Sequence, residues 1–244
     1  MSDFAVRKAL IQRLQEALQA QPFVCAAWLE GADALGRADE YSDLDLWLDV
    51  DAGEEEKAFR QVRSTVQTFG PLDVEQVRSH PDPLVQQRFY RSVGLPPFLF
   101  VDVCVQMHER DVTFGSADAF LPLFDREEVL RRETSPALDL AEEVGKVLGR
   151  RWRWVLVEKE LQRGHGLEAL SYYHTEVLGP LVRLLRLRSC PEKRDYGLKH
   201  LHADLPTADL RKLEGLYSLT QLDQLRRGLR DVEEWMDSLT DGWP

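Results

Sequence analysis

Cysteine is scarce in this sequence, and the three that occur are widely separated. Cys25, Cys104 and Cys190 form no Cys-x-x-Cys pair. The spacing therefore indicates neither a zinc site nor a disulfide framework. Cys25 and Cys104 lie in apolar runs, where a buried thiol behaves as a small hydrophobic side chain. These features predict free cysteines and a reducing compartment.

Long hydrophobic runs are also missing. No stretch is apolar enough over the roughly 20 residues that a membrane-spanning helix needs. The segment 1–21 is amphipathic and lacks the apolar core of a signal peptide. We therefore expect a cytoplasmic protein with no membrane partner.

An excess of basic residues is the third absence. The 244-residue chain carries a formal net charge of -11. Proteins that bind duplex nucleic acid usually show a basic footprint, so no duplex partner is expected. With 43% hydrophobic and 30% charged residues, the composition is typical of a folded globular protein. The length suits one large domain or two small ones.

The hydrophobic pattern divides the chain near residue 110. Before this point strand-like and helix-like segments alternate, and after it Leu, Arg and Glu recur at helical spacing. The pattern predicts an α+β domain over 1–110 and a helical domain over 111–244. Predicted helices cover 2–20, 53–69, 137–162, 167–187, 207–217 and 221–239. Predicted strands cover 23–30, 43–50, 72–77 and 98–106, and 81–97 reads as a proline-containing loop.

A glycine followed by two closely spaced acids is the main chemical motif. Eleven residues separate Gly31 from the sequence Asp43-Leu44-Asp45-Leu46. Residues two apart on a strand point to the same side, so Asp43 and Asp45 present two carboxylates to one point. Such a pair repels unless a cation lies between the carboxylates, and magnesium prefers oxygen ligands together with substrate phosphates. If the strand containing Asp102 pairs beside this one, three acids converge, as two-metal phosphoryl transfer requires.

A simpler interpretation of the two acids is the solvated face of an edge strand. The glycine spacing and the third acid favour the metal interpretation over that one. For Asp49 and Asp51, which lie further along the same strand, the solvated interpretation is favoured. An EF-hand is excluded because the acids lack its spacing and its central glycine.

The run GADALGRADEYSDLDL resembles the signature of the DNA polymerase β-like nucleotidyltransferases, a hydrophobic residue and glycine followed by Asp-hydrophobic-Asp. It is most similar to the antibiotic nucleotidyltransferases that act on aminoglycosides or lincosamides. The resemblance implies a mixed sheet with helices, followed by a C-terminal helical bundle. It also implies transfer of a nucleoside monophosphate from a nucleoside triphosphate, most often ATP, to a hydroxyl of a small molecule. Two Mg²⁺ ions would be the cofactor.

The resemblance also assigns roles to individual residues. Asp43, Asp45 and Asp102 would be the catalytic acids and the metal ligands. Nucleotide contacts would come from four further residues, namely Gly31, Ala32, Ser42 and Lys199. The family has Ser or Gly at the position of Ala32, and an alanine side chain cannot donate a hydrogen bond to phosphate. This departure predicts weakened or lost turnover.

Two questions stay open from the sequence. Glu158, Glu176 and Asp102 are alternative general bases for the acceptor hydroxyl, and Arg183 and Arg186 are weaker alternatives to Lys199 as the triphosphate contact. The protein is either an active enzyme or a nucleotide-binding or regulatory member of the same fold that has lost turnover. A third use, as a minimal antitoxin-like transferase, is disfavoured by the fused helical half.

Overall fold

The computed structural model describes residues 2–108, 112–115, 118–133, 137–241 and 243. The chain divides into two compact units, Met1–Ser135 and Pro136–Pro244. The sequence predicted a boundary between residues 110 and 111, and both of these lie outside the described residues. The first unit extends further along the chain because strands that follow residue 111 belong to it.

Unit 1 is built on a six-stranded mixed sheet in the order β3-β4-β5-β2-β1-β7. The α+β fold class is thereby confirmed. Its strands are β1 (Val24–Leu29), β2 (Leu44–Val50), β3 (Leu72–Ser79), β4 (Val85–Ser92), β5 (Val101–Met107) and β7 (Leu121–Asp125). Two short strands, β6 (Val112–Phe114) and β8 (Leu130–Arg132), form a separate parallel pair.

One face of the large sheet is covered by two helices, α1 (Asp3–Gln19) and α3 (Glu55–Gln67). Strand alternation explains how the sequence builds this layer, since every second side chain of β2 and β5 is apolar. The apolar residues of these strands are fully buried in the core, namely Leu44, Leu46, Leu48, Val50, Val101, Val103 and Val105. The polar residues between them therefore share the opposite face.

The loop predicted over residues 81–97 is partly wrong, because β4 lies inside it. The prolines that suggested a loop, Pro83 and Pro96, flank the strand and do not interrupt it. Proline removes a ladder hydrogen bond only where it stands within a central strand. The strands β6, β7 and β8 were also missed, and each of them has five residues or fewer.

Unit 2 consists of helices around a core of its own. They are α4 (Leu140–Leu148), α5 (Val155–Arg163), α6 (Gly166–Tyr172), α7 (Gly179–Ser189), α8 (Leu201–Asp204), α9 (Thr207–Tyr217) and α10 (Leu222–Thr240). A 3-10 turn, Arg151–Trp154, interrupts the helix predicted over 137–162, and a π-helical segment, Tyr173–Leu178, joins α6 to α7. None of the helices described is long and apolar enough to cross a membrane.

Candidate functional site

The three predicted acids lie on adjacent strands at one end of the sheet. Strands β2 and β5 are parallel neighbours, and Asp45 is the register partner of Asp102. Asp43 stands two positions before Asp45, immediately ahead of β2, and is exposed. All three residues alternate with core leucines and valines, so they belong to the face away from the helices. The strand register thus brings Asp45 and Asp102 side by side on one face.

The carboxylates of these acids are not closely packed. Among the described residues, Cys25, Asp49 and His108 form a group of potential metal ligands. One ligand atom from each of these side chains lies within 4.8 Å of the other two. Asp43, Asp45 and Asp102 form no such group. Carboxylates of like charge repel, so a closer approach of the three would need a cation between them.

Gly31 lies directly against the acid on β2. A short helix, α2 (Gly31–Ala34), follows β1, and Gly31 has a φ of +60°. A Cβ atom built on Gly31 would stand 2.0 Å from Oδ2 of Asp45, which is closer than any side chain tolerates. The backbone amide of Glu30 also donates to the Asp45 carbonyl over 3.0 Å. The glycine is therefore required both by its left-handed backbone and by the neighbouring carboxylate.

Asp102 accepts hydrogen bonds from one polar neighbour, and burial and several nearby charges shift its pKa. The side chain of Gln87 on β4 donates to both carboxylate oxygens, over 2.8 and 2.9 Å. Burial raises the pKa of Asp102, the Gln87 hydrogen bond opposes that rise, and the charge of Asp43 adds to it. Arg78 and His80 lower the same pKa by smaller amounts. Asp102 is therefore a better proton acceptor than an exposed aspartate.

Cationic and aromatic groups border the acids on the same face. Arg78 packs over the ring of Phe89, the register partner of Asp102, with 5.6 Å from guanidinium carbon to ring centroid. The ring of His80 meets the edge of Trp47 at 5.7 Å. Arg78 and His80 were not predicted from the sequence, because the prediction lacked β4, the strand that lies between β3 and β5.

A buried arginine fixes the segment that carries Asp43. Arg7 on α1 is 5% exposed and forms an ion pair with Asp33. Its guanidinium also donates to the carbonyl oxygens of Ser42, over 2.7 Å, and Asp43, over 2.5 Å. Arg7 occupies the same buried stripe of α1 as Leu10. A cation at a core-facing helical position is a sequence signal that would have identified it.

The two remaining nucleotide contacts predicted in unit 1 lie close to the acids in sequence. Ala32 is half-buried in the first turn of α2. The hydroxyl of Ser42 donates to Oδ1 of Asp39 over 2.7 Å and accepts from the Asp39 amide over 3.1 Å. The Ser42 hydroxyl is thus engaged within its own loop.

The remaining candidates lie in unit 2. Lys199 is exposed in a turn, and its carbonyl accepts a hydrogen bond from Arg186. Glu158 is exposed on α5. Glu176 is buried and accepts two hydrogen bonds from Arg153, over 2.6 and 2.9 Å. The Arg153 hydrogen bonds lower the pKa of Glu176, which makes it a weak base.

The sequence of this chain matches no family model. It also matches no curated protein. Solved structures show low similarity. An aminoglycoside 6-adenyltransferase from Bacillus subtilis shares 12% identity, with a TM-score of 0.42 over 95% of this chain and 88% of that one.

A protein proposed to be a nucleotidyltransferase from Helicobacter pylori shares 14% identity, with a TM-score of 0.34 over 98% of this chain and 99% of that one. At this level of similarity, the function has to be inferred from the side chains described above.

Proposed function

We propose that this protein transfers a nucleoside monophosphate from a magnesium-bound nucleoside triphosphate to a hydroxyl of a small molecule, releasing pyrophosphate. The observation that carries the proposal is the parallel register that pairs Asp45 with Asp102. With Asp43 two positions before Asp45, three acids lie at the same end of two neighbouring central strands. The glycine-to-Asp-x-Asp motif that ends in Asp45 gives independent support from the sequence.

The three acids would have different roles. Asp43 and Asp45 would hold two Mg²⁺ ions, and Asp102 would complete the shell of one of them. When bound, the ions would act as Lewis acids toward the triphosphate and would activate the acceptor oxygen. Asp102 would also help to deprotonate the acceptor hydroxyl, since it lies beside Asp45 in the strand register. Glu176 is disfavoured because Arg153 stabilises its charged form.

Phosphate recognition falls to groups around the acids. Arg78 adds positive charge next to Asp102, His80 adds an imidazole nearby, and phosphoryl oxygens favour such donors. Gly31 and Ala32 would present backbone amides. Lys199 stays a prediction that rests on the sequence resemblance alone.

ATP is the proposed donor, and a cationic antibiotic such as an aminoglycoside is the proposed acceptor. Both follow from the resemblance of the Gly31–Asp45 segment to antibiotic nucleotidyltransferases. The net charge of -11 is compatible with a cationic acceptor, since an acidic surface concentrates cations near it.

The decisive experiment compares Asp45→Asn with Asp73→Asn, an exposed acid on β3 that pairs with Arg91. Magnesium–ATP is titrated calorimetrically into each protein, and pyrophosphate release is followed with an aminoglycoside panel. Wild type and Asp73→Asn should bind magnesium–ATP equally, whereas Asp45→Asn should lose binding. Equal magnesium–ATP affinity in all three proteins contradicts the proposal.

A catalytically weakened nucleotide binder is the second candidate, and Ala32 is the observation that favours it. Changing Ala32 to Ser adds one donor to phosphate, worth about 1–3 kcal/mol or roughly a five- to hundredfold gain in affinity. Ala34→Ser, on the same short helix, is the control. Binding of magnesium–ATP by the wild type without pyrophosphate release, together with release by Ala32→Ser, supports this candidate.

A further inference from the structure

A second group of metal-ligating side chains lies at the other end of the same sheet face. Cys25, Asp49 and His108 come from β1, β2 and the residue after β5, three neighbouring segments of the sheet. One ligand atom from each lies within 4.8 Å of the other two. Thiol, carboxylate and imidazole thus meet at one point, although the sequence spacing of the cysteines gave no indication of it.

The hydrogen bonds of the group leave one carboxylate oxygen facing the other ligands. Gln106 donates to Oδ2 of Asp49 over 2.8 Å, and Nδ1 of His108 lies 2.6 Å from Oδ1. The ligand atoms of a tetrahedral zinc ion lie about 3.4–3.6 Å apart, given metal–ligand distances of about 2.0–2.3 Å. The three ligand atoms of this group lie within 4.8 Å of one another, and zinc would take the place of the proton between His108 and Asp49.

A local irregularity of β1 directs the thiol into the group. The register of β1 on β2 shifts between Val24 and Ala26, which leaves Cys25 as an extra residue in a β-bulge. Val24 faces the helical core, while Ala26 and Asp49 are register partners on the other face. Bulges of this kind re-aim a side chain and are common beside functional sites. Cys25 contacts Oδ1 of Asp51 over 3.6 Å.

The charge around the group favours a cation. Asp49 is fully buried, and a buried carboxylate needs compensation. Burial and then the charges of Asp51 and Asp49 raise the pKa of Cys25 to about 12, with a smaller contribution from Glu127. The Asp49 hydrogen bond raises the pKa of His108. Two carboxylates, Asp49 beside the imidazole and Asp51 beside the thiol, thus give the group negative charge that a divalent ion would neutralise.

We propose that Cys25, Asp49 and His108 bind one zinc ion, with the carboxylate of Asp51 adjacent to the Cys25 thiol. Sulfur and imidazole ligands select zinc over magnesium, which prefers oxygen. Asp49 is four residues beyond Asp45 on β2, about 13 Å along the strand. The zinc site is therefore separate from the acids of the proposed transferase site.

The test is titration of zinc chloride into the metal-free full-length protein, repeated in buffers of different ionisation enthalpy. We expect one zinc per chain and release of protons, since zinc binds the thiolate form of Cys25. Removing a residue that contacts only the ligands of a metal, and not the metal itself, weakens metal binding about 10–100-fold. Cys25→Ser and His108→Gln, which each remove a ligand, should therefore weaken zinc binding by at least about tenfold.

Cys104→Ser is the matched control, because Cys104 is also buried and belongs to the same sheet face. Cobalt supplies a second readout: the thiolate-to-cobalt absorption band should persist in Cys104→Ser and disappear in Cys25→Ser. The His108 side chain is partly exposed, so His108→Gln tests the site even if Cys25→Ser unfolds.

Absence of zinc binding by the wild type, or an equal loss in Cys104→Ser, overturns the proposal. Asp45→Asn should still bind zinc, because Asp45 is not a ligand of the proposed zinc site. A wild-type protein that binds zinc but not magnesium–ATP would therefore contradict the transferase proposal alone.

Discussion

At the scale of single residues, Gly31 is the position near the acids that tolerates substitution least. Gly31→Ala would force a methyl group against Asp45 and a left-handed backbone on a residue that disfavours it. The backbone effect alone costs about 1–2 kcal/mol. We expect that loss of stability in denaturant titrations, together with at least tenfold weaker magnesium–ATP binding by calorimetry.

Gly36→Ala separates the two effects. Gly36 has a φ of +65°, and a Cβ atom there would meet nothing within 4 Å. It should lose a similar amount of stability and keep its magnesium–ATP affinity. If Gly31→Ala binds magnesium–ATP as tightly as Gly36→Ala does, the close contact with Asp45 has no bearing on ligand binding.

The raised pKa of Asp102 predicts how the free energy of unfolding depends on pH. Its folded pKa is raised above the ordinary value of 3.8, so between these two values the folded state binds more protons than the unfolded state. The free energy of unfolding therefore falls as pH rises through this window. Asp102→Asn should remove that fall, measured as the difference between wild type and variant in denaturant titrations from acidic to neutral pH.

Asp73→Asn should show the opposite sign. The Arg91 hydrogen bond lowers the pKa of Asp73, so this acid stabilises the fold above its unfolded pKa. That stabilisation is lost as pH falls through the lower folded value. The same direction of change in both variants would contradict the opposite pKa shifts.

Individual acids were predictable from the sequence because alternation on a strand and the spacing from Gly31 are local properties. The partners of Arg7 and of Asp49 were not predictable, since they lie 24 to 59 residues away in the chain. Asp49 was interpreted as solvated, whereas it is fully buried. The alternation of residues along a strand shows which face of the sheet a side chain occupies, but it does not show which residues cover that face.

At the scale of secondary structure elements, α1 holds the start of β2 through Arg7. Arg7→Met would leave Asp33 buried without its partner and free the carbonyls of Ser42 and Asp43. Breaking a buried pair in this way costs about 3–5 kcal/mol. We expect a loss of that size in denaturant titrations, accompanied by weaker magnesium–ATP binding.

Arg13→Met is the control on the same helix. Arg13 is exposed and donates to Thr68 over 2.8 Å, so its replacement should cost about 1 kcal/mol or less. Equal losses in the two variants would show that Arg7 contributes no more than an exposed arginine.

The elements themselves were predictable to different degrees. α9 was predicted with its observed bounds, Thr207–Tyr217, because its apolar residues recur at helical spacing between clear breaks. β4 was missed because it is polar, and its pairing with β3 and β5 is a tertiary property. The turn after α4 was missed because helical periodicity continues through it.

At the scale of the whole molecule, each unit closes a hydrophobic core of its own. Leu185 on α7 is 1% exposed within the core of unit 2. Leu185→Ala should cost about 2–5 kcal/mol through the cavity it creates. Hydrogen exchange should then accelerate in peptides from residues 137–241. Unchanged exchange in these peptides would contradict the burial of Leu185.

The register of β2 also constrains how this chain tolerates changes of length. A one-residue insertion within Leu44–Val50 would exchange the two faces of the strand downstream of it. Each aspartate of β2 beyond the insertion would then face the core beneath the helices, and a leucine or valine would take its place on the other face. The exposed stretch 35–37, by contrast, can gain or lose residues without moving either face. Natural length variation among homologues should therefore accumulate between α2 and β2 and stop abruptly at Asp43.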